Sequence, residues 1–148
     1  MSLQRDLAIE RKNLTQLEGK DWGHSSSESY IERGCHELRY KSLADMDVED
    51  LRLLIGQNIG LRYLMPIAFD ALRRNALAEG MHYPGDLLSA VLRTEPGFYD
   101  ENPAAAVEIQ AIAQRAIDEL GKVDERLRRN PLEGINGALT QFRSGHRS

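Results

Sequence analysis

Cysteine and aromatic residues are scarce in this sequence, and both shortages exclude classes of protein. Its 148 residues include one cysteine, Cys35, so no disulfide can form within the chain, which argues against a small secreted scaffold. Aromatic residues make up 6% of the sequence, too few to favour a surface on which nucleic-acid bases stack. We therefore expect an intracellular, cytoplasmic protein that does not bind nucleic acid directly.

Long apolar runs and an excess of basic residues are also missing. The most apolar stretch, residues 53–72, contains Arg62 and Asp70 and could not cross a bilayer cheaply. Residues 1–12 carry charges where a signal peptide needs an unbroken apolar stretch. The formal net charge is -4, and no cluster of Lys and Arg is available to neutralise phosphates. A mildly acidic chain of this kind suits a basic protein partner better.

Apolar residues recur at helical spacing along most of the chain, and no alternating run predicts a strand. The sequence therefore predicts an all-α, single-domain bundle of about five to seven helices over residues 1–130. Residues 131–148 are rich in Gly, Ser and Arg, and we expect them to form a flexible C-terminal tail. Removing this tail should then change the melting temperature little, whereas a cut before Pro103 should be far more damaging.

Local signals place several helix ends. A first helix over residues 3–18 should end at Gly19, and the S-x-x-E spacing of Ser25 and Glu28 predicts a capping box before a helix whose Ile31, Cys35 and Leu38 face the core. Asp47 is expected to cap the next helix, and Gly56 and Gly60 to break it. Residues 94–102 are predicted to be a loop, followed by a helix from Pro103 to about residue 129, because Asn-Pro is a strong helix start.

Residues able to carry out catalysis or hold a metal are hard to find. The histidines stand apart from one another and none has metal-ligand spacing with a second ligand: His24, His36, His82 and His146. Cys35 and His36 are adjacent, so on a helix they point about 100° apart and cannot share one site. The sequence therefore predicts no catalytic residue, no metal site and no cofactor, with Cys35 in the core.

Six acidic residues remain as candidates for contact with a partner: Glu95, Asp100, Glu101, Asp47, Glu49 and Asp50. Capping explains the three acids around residue 48, because carboxylates favour the positive end of a helix dipole. It does not explain the three in the segment that follows Thr94, which we rank first as partner contacts. The long helix after them ranks second, through Glu108, Asp118 and Glu119. Trp22, in the polar segment 20–27, is expected to cover the core rather than to bind a partner.

Two sequence blocks resemble a known family. Residues 50–72 read DLRLLIGQNIGLRYLMPIAFDAL, and YPGDLL follows at residues 83–88. Further matching positions are Leu17, Glu18, Trp22, Gly23, the segment CHELRYKSL at 35–43, and Asn75, Leu77, Glu79 and Gly80. In this order and at this separation, they resemble a family of contact-dependent growth inhibition (CDI) immunity proteins over residues 17–92. The first helix and the residues after about 93 depart from the family pattern.

The resemblance implies a function without catalysis. CDI immunity proteins bind the toxin domain at the C-terminus of a large surface protein, which neighbouring bacteria deliver on contact, and the toxins are often nucleases. Family resemblance thus implies a cytoplasmic inhibitor that blocks its toxin's active site. The residues themselves leave one alternative open, a small helical adaptor that binds a peptide or protein partner. They argue against a third hypothesis, a hydrolase using His82 and Asp86, because these two residues lie in a turn without a third partner.

Overall fold

Residues 3–145, the part of the chain that the computed structural model describes, contain nine α-helices. In chain order they are α1 (Leu7–Glu10), α2 (Leu14–Glu18), α3 (Tyr30–Leu38), α4 (Val48–Gly56), α5 (Leu61–Arg74), α6 (Asp86–Leu92), α7 (Pro96–Glu101), α8 (Pro103–Leu120) and α9 (Glu125–Gly145). These residues contain no β-strand, only an isolated bridge between Glu79 and Pro84. The all-α class is confirmed. The predicted five to seven helices are too few, partly because the expected first helix is two short ones.

Several predicted helix ends are confirmed. The Asp47 side chain accepts a hydrogen bond from the backbone N–H of Asp50 (2.8 Å) and caps α4. Gly19 ends α2 with a left-handed φ of 66°. Helix α3 differs from the prediction: its cap is Ser29, not Ser25, whose hydroxyl is hydrogen-bonded within the preceding turn instead.

The break between α4 and α5 lies at residues 57–60, as predicted. Asn58 and Gly60 both have left-handed backbones, with φ of 57° and 63°. A Cβ on Gly60 would come within 2.8 Å of a methyl group of Leu14, so this turn packs tightly against α2, and the close approach and the positive φ together favour glycine. The break therefore brings the 57–59 turn to a fixed place beside α3 and α7.

Helix α6 lies at the centre of the core. Six of its seven residues are buried, and it packs against both α4 and α9. Helix α8 contributes Ile109, Ile112 and Leu120 to the same cluster, which runs along the chain from Leu14 to Phe142. Cys35 is buried as predicted, whereas Ile31, in the first turn of α3, is 45% exposed and does not face the core.

The C-terminal residues differ most from the sequence-based expectation. Residues 131–145 were expected to be a flexible tail, but they lie in α9, which is helical to Gly145. Ile135, Ala138, Leu139 and Phe142 are buried against α6 and α8. The predicted helix from Pro103 to residue 129 is correspondingly interrupted, because α8 ends at Leu120 and α9 begins at Glu125. Residues 146–148 of the expected tail lie outside the described part of the chain.

Candidate functional site

Two of the three acids at the start of α4 are held by neighbouring side chains. Asp50 accepts hydrogen bonds from the backbone N–H of Asp47 (3.1 Å) and from Nζ of Lys41 (2.7 Å). The Glu49 carboxylate forms two hydrogen bonds with the Arg52 guanidinium, both 2.6 Å, and accepts a third from the backbone N–H of Met81 (3.0 Å). Hydrogen bonding to Arg52 lowers the pKa of Glu49. These contacts hold both carboxylates against neighbouring groups of the protein. The third acid, Asp47, caps α4 as predicted.

Asp86, the carboxylate considered for a hydrolase, is buried and occupied by backbone donors. It accepts hydrogen bonds from the N–H groups of Gly80 (2.7 Å) and His82 (3.0 Å), and its Oδ2 lies 3.8 Å from Nε of Arg52. The carboxylate thus closes the 80–86 turn and is not directed at solvent. This arrangement gives no support to a hydrolytic pair of His82 and Asp86.

Cys35 and His36 do not form a catalytic pair either. Burial raises the pKa of the Cys35 thiol, which disfavours the thiolate that nucleophilic catalysis needs. The ring Nδ1 of His36 instead lies 2.9 Å from the carbonyl oxygen of Gly23. Within residues 3–145 no three His, Cys, Asp or Glu side chains are grouped so as to hold a metal ion; His146 lies outside this range.

The three acids after Thr94 lie on or beside α7, which is a helix and not the predicted loop. Phe98 and Tyr99 are buried on the inner face of α7, and the Tyr99 hydroxyl donates a hydrogen bond to the carbonyl of Val91 (2.7 Å). Local hydrophobic anchoring therefore overrides the turn signals of Pro96 and Gly97.

On the outer face, Glu95, Asp100 and Glu101 are exposed. Their carboxylates form no hydrogen bond or ion pair with any residue of the described range 3–145. Unlike Glu49 and Asp50, these carboxylates are thus available to a partner. We call this set the α7 acids.

Residues 20–24, which include the Trp22 that was expected to cover the core, form a loop held against the C-terminal end of α3. Arg39 is 1% exposed; its guanidinium pairs with Glu18, donates to the carbonyl of Lys20 (2.8 Å) and lies 4.1 Å from the ring centre of Trp22. The imidazole of His24 contacts Glu37 at 2.6 Å, and the Tyr40 hydroxyl donates to Asp21. The indole of Trp22 packs edge-on to His36, at 5.5 Å between ring centres, yet remains 43% exposed.

An open groove lies between α3 and the 57–59 turn. Its lining includes Trp22, Ile31, Glu32 and His36 on one side and Gln57 and Ile59 on the other. We call it the α3 groove. The sequence-based prediction missed this groove because it assigned Ile31 to the core and Trp22 to a cover over the core. The one signal in the sequence was a large aromatic residue, Trp22, within a polar segment.

The α3 groove and the α7 acids are joined by the 57–59 turn. Asn58 stands between Gln57 and Ile59 in sequence, and its side-chain oxygen accepts a hydrogen bond from the backbone N–H of Glu95 (3.0 Å). The turn that lines the groove is therefore fixed to the residue that begins α7.

The model of a family described as CDI immunity proteins matches residues 16–109, which extends past the predicted limit near residue 93 and includes α7. The matched residues hold 16 acidic and 9 basic side chains, a net charge of −7, so the acidity of the chain is concentrated there. No helix of the described part is long and apolar enough to span a membrane.

A search of curated proteins and a search of solved structures find no match to this chain. The family match stands without them, because it covers 94 of the 148 residues and includes both sequence blocks that carried the resemblance. The chain belongs to the family of CDI immunity proteins.

Proposed function

We propose that this protein neutralises the C-terminal toxin domain of a large CDI surface protein, a nuclease, by binding over its active site in the cytoplasm. Membership of the family supports the general part of this function, neutralisation of a CDI toxin through binding. The nuclease target and the blocked active site are what the resemblance to CDI immunity proteins implies, and a charge argument supports them. A nuclease cleft must attract phosphates and is lined with Lys and Arg, so an inhibitor that covers it gains from presenting carboxylates.

The α7 acids are the observation that carries the placement of the interface. Glu95, Asp100 and Glu101 are exposed and unpaired within residues 3–145, on a helix whose inner face is fixed by Phe98 and Tyr99. Because the inner face of α7 is packed, the backbone that carries these carboxylates is fixed before binding, and only their side chains lose rotamer freedom when they pair with cations. We therefore assign the toxin contact first to α7.

The acids of α4 have a lesser role in this proposal. Asp47 is exposed and could extend the interface, whereas Glu49 and Asp50 would have to give up Arg52 and Lys41 to pair with a toxin. Inhibition is stoichiometric and needs no catalysis by this chain. The buried thiol of Cys35 and the occupied carboxylate of Asp86 agree with that proposal.

The test is the triple change Glu95→Ala, Asp100→Ala, Glu101→Ala, with toxin binding kinetics measured at low and moderate salt. If the acids stay at the hydrated rim, the on-rate falls and its salt dependence flattens. If they form desolvated pairs, the off-rate rises at a cost of ~2–5 kcal/mol. The melting temperature should not change, because the three carboxylates have no partner within residues 3–145.

A matched control carries the same change in charge elsewhere. Asp118→Ala, Glu119→Ala, Glu133→Ala removes three exposed carboxylates of α8 and α9, outside the family match. Equal loss of affinity in both variants would reduce the α7 effect to net charge, and loss in the control alone would move the interface to α8 and α9. Active-site blocking is tested separately: one equivalent of wild-type protein should abolish nucleic-acid cleavage by the toxin domain. Binding without inhibition would refute that part.

A further inference from the structure

Exposed apolar side chains are concentrated around α3. Seven large ones are exposed in residues 3–145, and four of them lie at this helix: Trp22, Tyr30, Ile31 and Met81. The Tyr30 hydroxyl is 3.9 Å from the sulfur of Met81, and Trp22 and Ile31 line the α3 groove together. Clustered apolar exposure of this kind marks a binding surface more often than scattered single residues do.

The groove is preorganised. The indole ring of Trp22 stacks on the Arg39 guanidinium, which is itself held by Glu18 and by the carbonyl of Lys20. Its neighbour Gly23 is held through the His36 ring. A large aromatic side chain that is fixed before binding loses little entropy on association, and tryptophan is enriched among residues that dominate binding energy.

The α3 groove has one acidic lining residue, Glu32, and neither Lys nor Arg lines it. The Glu32 carboxylate has no partner within residues 3–145. Arg33 lies about 200° around the helix from Ile31 and does not line the groove. A complementary partner would therefore bring an apolar side chain flanked by Lys or Arg.

We propose that the α3 groove is a second contact for the toxin domain and receives an apolar side chain that projects from a basic toxin surface. This inference rests on the proposed function. It also adds to it, because the hydrogen bond between Asn58 and Glu95 ties the groove to α7. One toxin surface can then touch both, with α7 supplying charge and the groove supplying apolar burial.

The chain's single tryptophan gives a direct test. Wild-type protein labelled with 5-fluorotryptophan has one protein ¹⁹F resonance, from Trp22, and unlabelled toxin domain, inactivated in its own active site, is titrated into it. We expect the resonance to shift on binding and to become less sensitive to solvent isotope exchange. Saturable toxin binding with an unchanged resonance would overturn the inference while leaving the proposed function intact.

Substitution supplies the second arm. Ile31→Arg places a cation where a basic toxin should approach, and we expect the toxin Kd to rise at least tenfold, mainly through the off-rate. Leu127→Arg is the matched control: Leu127 is 69% exposed on α9, and this variant should bind like wild type. Wild-type affinity of Ile31→Arg would refute the contact.

Two further outcomes are separable. A Trp22 resonance that shifts with protein concentration alone, without toxin, would make the groove an interface between copies of this chain and overturn the proposal. Failure of the wild-type chain to bind the toxin at all would remove both the proposed function and this contact.

Discussion

Helix α9 should be essential for folding, and Phe142→Ala tests this most sharply. The Phe142 side chain is 4% exposed, and its ring packs edge-on to that of Tyr99 at 5.0 Å between centres. Truncating a buried phenylalanine to alanine costs ~3–5 kcal/mol, because a cavity remains where the ring was. For a chain of this size, each kcal/mol lowers the melting temperature by about 2–4 °C. We therefore expect a fall of roughly 6–20 °C.

Deletion of residues 131–148 should be more severe still. It removes Ile135, Leu139 and Phe142 from the core, and burial of each such side chain is worth ~1.5–3 kcal/mol. The combined loss, about 4.5–9 kcal/mol, is comparable to the ~5–15 kcal/mol by which domains are stable. The truncated chain should therefore not unfold cooperatively.

Thermal and urea unfolding, followed by circular dichroism, measure both effects. Arg143→Ala is the control for Phe142→Ala, because the neighbouring side chain is exposed on the same helix. A truncated protein that melts cooperatively at the wild-type temperature would refute the reasoning and restore the flexible tail that the composition suggested.

Two other predictions concern Asp86 and Glu49, the carboxylates that accept hydrogen bonds from the backbone of the 80–86 turn. Asp86→Asn should lower the free energy of unfolding by about 1.5–3 kcal/mol, because the two backbone N–H groups bind different oxygens of the carboxylate and an amide offers only one. The control is Glu79→Gln, at an exposed position, which should change this free energy little. Urea unfolding of the two variants measures the difference. The pKa of Glu49 is lowered by Arg52, so the stability that its charge contributes is present above the ordinary Glu pKa of ~4.3 and is lost as pH falls through the lower folded-state value. The stability difference between wild type and Glu49→Gln should accordingly shrink from pH 7 to strongly acidic pH, and a constant difference would contradict this linkage.

Several helix ends set by local chemistry were predictable from the sequence, although the capping box predicted from Ser25 and Glu28 was wrong. The Asp47 cap, the left-handed Gly19 and the start of α8 at Pro103 each depend on residues within one turn of the boundary. Short-range hydrogen bonds and backbone sterics decide such positions, whatever the rest of the fold does.

Helix α9 was not predicted because its glycines and Pro131 look like helix terminators. Their reasons are tertiary. A Cβ on Gly134 would overlap the Tyr83 hydroxyl, so glycine is needed for this close approach, and Pro131 is itself buried. The apolar period of Ile135, Leu139 and Phe142 was present, but composition outweighed it in the interpretation.

The candidate binding surface was also predictable only in part. That Glu95, Asp100 and Glu101 should face a partner follows from the lack of a capping role, and the α7 acids remain a prediction. Their helical support and the α3 groove could not be anticipated, since both depend on contacts between segments far apart in sequence, such as Asn58 with Glu95.

The position of α9 in the core has a consequence for synthesis of the protein. Helix α6 emerges from the ribosome well before the helix that buries it, and α7 and α8 are made in between. Until α9 has been translated, the buried residues of α6 lack part of the apolar cover that the helix has in the finished fold. A nascent chain that stalls before residue 125 should therefore be a substrate for chaperones and proteases. Protection against a toxin would then begin with complete chains, and premature stop codons in the last helix would abolish it although they leave every residue of the family match in place.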